Sequence, residues 1–253
     1  MRIGRRAILT TTLVLITGAF AFNFFFEKPQ PRFAGKSLSQ WLELYRRPER
    51  NGGVVTEAEL AVRQIGTNAL PLLCEWIRYD LPAWRRGLLR LATRPVEGKT
   101  LDEGKVVYGQ SLIKGKSSRL SDLAELGFII LNTNAAPAVL ELETLMKDNR
   151  NLGVAVRAIY ALGAIGGPAI PALTNALADI KQANRSTIIE AIYGVEIDSH
   201  YYQGDAYTGS SLPALTRSLN DSDKEVRRQA KVALYNLARH GLAPAIFADT
   251  SGQ

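Results

Sequence analysis

The residues of this chain best equipped for chemistry stand together at Glu196-Ile-Asp198-Ser-His200-Tyr201-Tyr202-Gln-Gly-Asp205-Ala-Tyr207. Asp198, His200 and Asp205 are oxygen and imidazole donors that could hold a metal ion. The tyrosines suit a different task. Each supplies a large apolar area with a polar tip at low entropy cost, as a contact loop needs. A plain connection between helices would also use such residues, and composition alone leaves these readings open. A second cluster, Trp84-Arg85-Arg86-Gly-Leu88-Leu89-Arg90-Leu91, reads as a basic amphipathic helix. It precedes Lys99, Lys105, Lys114 and Lys116, set among glycines. It is either a solvated face beside a loop or an attractor for anionic head groups or an acidic partner. His200, Tyr201, Tyr202, Tyr207, Arg85, Arg86 and Arg90 are therefore the candidate partner contacts.

Evidence for catalysis is thin. The chain has two histidines, His200 and His240, and a single cysteine, Cys74. It has no Gly-x-Ser-x-Gly elbow, His-Glu-x-x-His pair or Cys-x-x-Cys pair. Cys74 lies in Leu72-Leu73-Cys74-Glu75-Trp76-Ile77 and reads as a small packing residue of a buried helix. Gly35-Lys36-Ser37 looks like the tail of a phosphate loop, but Gln30 stands where that motif needs glycine. The expectation is a protein that is not an enzyme and that uses no cofactor and no metal.

What must position these residues is a short register that returns five times. Apolar anchors Ile65, Leu131, Ile165, Val195 and Leu237 each end a helix-like run. Four residues before each anchor stands Ala61, Gly127, Ala161, Ala191 or Ala233. Seven before, the residues are Ala58, Ala124, Ala158, Ile188 and Ala230. These spacings share one helix face, and its small residues let a neighbouring helix come close. Helix stops follow: Gly66, Asn132 and Gly166-Gly167 suit a left-handed cap. Pro71, Pro137 and Pro171 then stand where a second helix would begin, and Pro213 and Pro244 fill comparable places. Each copy predicts helix, tight turn, Pro-initiated helix.

One such hairpin cannot bury its own apolar face, and stacking solves that problem. The 34 residues from Pro137 to Pro171 are close to one bare unit. Asp223-Lys-Glu-Val226-Arg227-Arg-Gln-Ala230-Lys-Val-Ala233-Leu234 resembles the first helix of a HEAT repeat. Ala158-Ile-Tyr-Ala161-Leu162-Gly-Ala-Ile165-Gly166-Gly-Pro-Ala169-Ile-Pro171-Ala-Leu173 resembles its turn and second helix. The resemblance covers roughly residues 56–248 and lapses at 95–118 and 197–210. It implies an all-α fold, an α-α superhelix of about five hairpins, working as a protein-binding scaffold. HEAT-like repeats also build the phycobilin lyases, so a chromophore-attachment enzyme is the rival reading.

The net charge of +7 invites a nucleic-acid reading, which its distribution opposes. Residues 81–120 carry nine cationic and three anionic side chains, whereas 121–253 carry eleven against fourteen. A nucleic-acid groove would spread its basic stripe over several repeats. No nucleic-acid partner is expected.

The N-terminus carries a topogenic pattern. Arg2, Arg5 and Arg6 precede twenty uncharged residues, Ala7 to Phe26. That length matches a hydrocarbon core of roughly 30 Å, with the arginines held on the cytoplasmic side. Residues 1–26 read as a signal anchor that crosses the membrane through residues 7–26, or as a signal peptide cleaved after Ala21. Residues 27–36, with Pro29 and Pro31, read as a stiff linker. Residues 37–55 read as a capping helix opened by Ser37 and Gln40, 56–248 as the repeats and 249–253 as a tail. The stretch Gly35-Lys36-x-Leu38-x-x-Trp41-Leu42 is similar to one that precedes the repeats in bacterial membrane-anchored or secreted HEAT proteins. The expectation is a monomer, single-pass in the cytoplasmic membrane, with its repeats on the periplasmic or extracellular side, or secreted if cleaved, meeting a protein partner.

Overall fold

The structure, a computed structural model, describes residues 29–46, 52–79, 119–148, 150–202 and 209–247. The chain divides after Pro31, and the N-terminal unit lies almost wholly outside the described residues. The predicted anchor at 7–26 and the predicted insertion at 95–118 fall outside them as well.

The second unit is helical apart from one small hairpin. Strands β1 (Arg32–Phe33) and β2 (Lys36–Ser37) pair antiparallel, Arg32 opposite Ser37. Their turn takes Ala34 and Gly35 through positive φ, 46° and 79°, which matches the right-handed twist of the strands. Where the linker was expected to run to residue 36, the hairpin occupies 32–37. Helix α1 (Leu38–Tyr45) starts as the sequence predicts: the Ser37 N–H donates to Gln40 Oε1 at 2.8 Å. Its Leu38, Trp41 and Leu42 are buried against α2 (Gly52–Ile65). The Trp41 indole donates to the Phe33 carbonyl at 3.0 Å and fastens the hairpin to the helix.

Beyond α2 come α3 (Leu70–Arg78), α4 (119–131), α5 (Val139–Met146), α6 (Leu152–Ile165), α7 (Ile170–Ala178), α8 (Arg185–Tyr202), α9 (Leu212–Ser218) and α10 (Lys224–Arg239). They form two rows. In one, α6 packs on α8 and α8 on α10; in the other, α3 packs on α5, α5 on α7 and α7 on α9. The rows meet where α5 lies on α6, α7 on α8 and α9 on α10. The predicted face is the seam. Ala58, Ala61, Ala124, Ala158, Ala161, Ala191, Ala230 and Ala233 are all buried, and so are the anchors. Small size matters here: a Cβ on Gly127 would come within 2.7 Å of Leu73 Cδ2.

The helix stops fall where cap chemistry puts them. Gly66, Asn132 and Gly166 have φ of 59°, 46° and 82°, the left-handed region that suits glycine and asparagine. α10 ends in the same way: Gly241 has φ 73°, and the Leu242 N–H returns to the Leu237 carbonyl at 2.8 Å, a Schellman pair. N-caps are conventional too, with Asn151 Oδ1 accepting from Val154 N and Asp223 Oδ1 from Glu225 N. The run Arg119–Met146 is apolar enough over 28 residues to pass for a membrane span. Left-handed Asn132 breaks it into two helices that both bury a face in this body.

Two expectations need correcting. Val195 does not end its helix: α8 runs on to Tyr202, through the first residues of the expected insertion at 197–210. Glu196-Ile-Asp-Ser follows that anchor without the glycine or asparagine that stops the other runs. Pro137 does not sit in the first turn of a helix as Pro71, Pro171 and Pro213 do. It lies in the 3₁₀ segment Asn132–Ala138, and α5 starts after it. Ala135 and Ala138, both buried, are three residues apart and share one face of a three-residue turn.

Gly166, at φ 82° and ψ −142°, occupies backbone space that side chains avoid. Gly166→Ala is expected to lower stability by about 1–3 kcal/mol, measured as a shifted urea midpoint at unchanged slope.

Candidate functional site

The two rows leave two edges of different character. On one edge lie the tight turns. Gly66–Ala69 touches Asn132–Ala138, which touches Gly167–Ala169. On the other edge the second-row helices end, and their last carbonyls need donors. Those donors come from another repeat. Arg157, on α6, donates through Nε to Ile77 O at 3.0 Å and through Nη2 to Tyr79 O at 3.1 Å, closing the end of α3. The Gln182 amide donates to Met146 O at 2.9 Å and closes α5. Arg227 donates through Nη1 to Asp221 O and Ser222 O, at 2.6 and 2.9 Å, just beyond α9. Arg78 adds an exposed ion pair with Glu141 at 2.9 Å.

These contacts show how the stack treats its interruptions. Residues 79 and 119 adjoin neighbouring packed helices, because Gly127 of α4 lies against Leu73 of α3, and α3 also meets α5 and α6. The stack therefore runs on past the 80–118 segment. That segment leaves from the carbonyl edge, whereas 203–208 leaves from the turn edge, between α8 and α9. The expected contact residues thus belong to segments with different points of departure. Arg85, Arg86, Arg90 and Tyr207 lie outside the described residues. His200, Tyr201 and Tyr202 are in the last turn of α8, with their side chains outside the described set. The suggested metal donors share this position, since only Asp198 is described, and it is exposed. Among the described residues no three His, Cys, Asp or Glu side chains group as metal ligands.

Three features escaped the sequence reading. One is a buried polar set confined to a single stretch: Gln182, Arg185, Glu196, Ser211 and Ser218. Glu196 Oε1 accepts from both the N–H and the hydroxyl of Ser211, across the 203–208 segment. Arg185 pairs with Asp221, both nearly buried. Burial by itself would raise the Asp221 carboxyl, but the Asp223 N–H and the Arg185 guanidinium hold it below its ordinary value. The second feature is a cleft of about 300 Å³ between α7 and α9, lined by Thr174, Leu177, Ala178, Ile180, Ala214, Arg217 and Asp221 among others.

The third feature lies on the outward side of the first row. Five residues before each anchor stand Leu60, Leu126, Tyr160, Glu190 and Val232. That position falls opposite the buried seam of a 3.6-residue helix. Leu60 is 57% exposed, Tyr160 42% and Val232 43%. Ile129, two residues before its anchor, is 46% exposed on the same side. The register that revealed the seam also locates this row, once its opposite face is read.

Cys74, as the sequence implied, is buried. Burial, then the Glu141 carboxylate, pushes its thiol from 9.0 up to about 12. A thiol so shifted is not a nucleophile at neutral pH.

Comparison with known proteins yields one family match. Residues 154–179, spanning α6, its turn and α7, match the family model described as PBS lyase HEAT-like repeat. No curated protein and no solved structure matches.

Two outcomes follow from this geometry. Arg157→Met leaves two carbonyls at the end of α3 without their donor and is expected to cost about 1–3 kcal/mol, read from urea unfolding. For Cys74, the folded value of about 12 lies above the 9.0 of the free thiol, so its contribution is intact below pH 9.0 and lost as pH rises towards 12. Cys74→Val is expected to flatten that alkaline loss in a stability–pH profile.

Proposed function

We propose that this HEAT-like repeat protein is a non-enzymatic scaffold, tethered by residues 7–26 at the outer side of the cytoplasmic membrane, that binds a protein partner. About five hairpins form the solenoid, and the outward face of its first row is the docking surface. One observation carries this reading: Leu60, Tyr160 and Val232 recur, exposed, at the same register position of α2, α6 and α10. Exposed apolar residues scattered singly need no explanation. Their return at one position on three helices, with half-buried Leu126 and charged Glu190 between them, makes an interrupted apolar row, and recurrent exposed apolar groups of this kind suit protein contact.

The tether rests on the apolar, arginine-flanked N-terminus. A cut after Ala21 would give a secreted module with the same docking face. The chromophore-attachment reading draws only on the description of a repeat matched at 154–179. That stretch consists largely of seam residues, which serve packing in any HEAT-like stack.

The test is cross-linking in the native membrane, followed by identification of the captured proteins. Leu60→Glu with Tyr160→Glu is expected to abolish capture while changing stability by no more than about 0.5 kcal/mol, as exposed positions allow. A second variant replaces only residues 203–208, because a deletion from 197 would remove the last turn and a half of α8. Capture unchanged by the double charge substitution would refute the docking face. Capture lost only with 203–208 replaced would move the contact to the Tyr207 segment.

A further inference from the structure

We propose that the repeat formed by α8 and α9 is a joint built into the solenoid, opening as a unit while the repeats before it stay closed. Four independent observations converge there. The first is the nature of its core. Among the described residues every buried polar side chain, from Gln182 to Ser218, belongs to this repeat or to the connection that enters it. Elsewhere the seam is apolar throughout. Apolar burial strengthens a closed state in proportion to area. A buried polar pair adds little, because opening returns both partners to water.

The second observation is an unmet donor at the entrance. The Nδ2 of Asn184 is buried without a hydrogen-bond partner. That cost is relieved when the segment opens and water reaches the amide. The third is weak local structure. Gly194 sits within α8, where an added Cβ would meet nothing within 4 Å, so glycine there is no packing necessity and simply lowers helix propensity. α9 is only seven residues long and would not persist unsupported. The fourth is the packing of the seam itself. The cleft of about 300 Å³ lies between α7 and α9, so the junction with the preceding repeat is open on that side.

Two polar clasps then hold the repeat shut from opposite edges. Glu196 with Ser211 closes the turn edge, and Arg185 with Asp221 closes the carbonyl edge. Released together, they free α9 and the start of α8 and leave α10 able to swing, since α10 packs on α8 and α9. The apolar repeats ahead of α8 give up only their packing on α8 in that movement and keep their own seams.

Hydrogen–deuterium exchange on the full-length protein, read by mass spectrometry, tests this. Amides of 185–202 and 209–218 are expected to exchange at least roughly tenfold faster than those of 152–178. Ser211→Ala should raise the rate in those two stretches by a further factor of about ten, with 52–79 unchanged. Gly194→Ala should slow the same stretches about three- to fivefold. Equal protection of 185–202, 209–218 and 152–178 in the parent protein would overturn the joint. So would a Ser211→Ala effect spread evenly over all repeats, which would mean that the body opens only as a whole.

Discussion

The close approach of helices across the alanine face is the constraint on which the rest of this structure depends. Gly127 against Leu73 leaves no room for one further carbon. Gly163 stands 3.4 Å, as measured from the Cβ it lacks, from the Cβ of Ala191. Dispersion rewards such proximity only when both surfaces are smooth, and small side chains at three- and four-residue spacing make them so. Close rows in turn dictate where everything else stands. Turns must line one edge and helix ends the other, and outward residues must fall in rows.

The second-row helices end in carbonyls that no neighbour on the same helix can satisfy. Arg157 and Gln182 satisfy several of them from outside those helices, and Arg227 closes the turn just beyond α9. This arrangement links repeats by directional bonds as well as by apolar area. It also explains how the stack tolerates a long segment between residues 79 and 119. The end of α3 is held by Arg157, well beyond the interruption. The polar repeat at α8 and α9 differs in kind. There the donors and acceptors are inside the body, and closing it gains less.

Much of this could be read beforehand, and the reasons are local. Cap residues announced themselves because left-handed φ is a property of glycine and asparagine wherever they stand: Gly66, Asn132 and Gly166 were all legible. Ser37 with Gln40 was legible because both halves of a capping box lie within one turn. The failures were equally local. The register marks Val195 as a helix end, although no stop residue follows it. Spacing marks Pro137 as a helix start, while the buried pair Ala135 and Ala138 draws its segment into 3₁₀ form.

Period and cap chemistry, which act within a few residues, let the chain by itself determine that it folds as helices with one small-residue face, stacked as a HEAT-like body. Only the tertiary structure decided which carbonyls Arg157 and Gln182 would close, that Glu196 would meet Ser211, and that the chain would depart at 79 and at 202 from opposite edges. Those pairings join residues up to eighty positions apart. Their partners are chosen by where the packed rows bring each helix end, which no local pattern records.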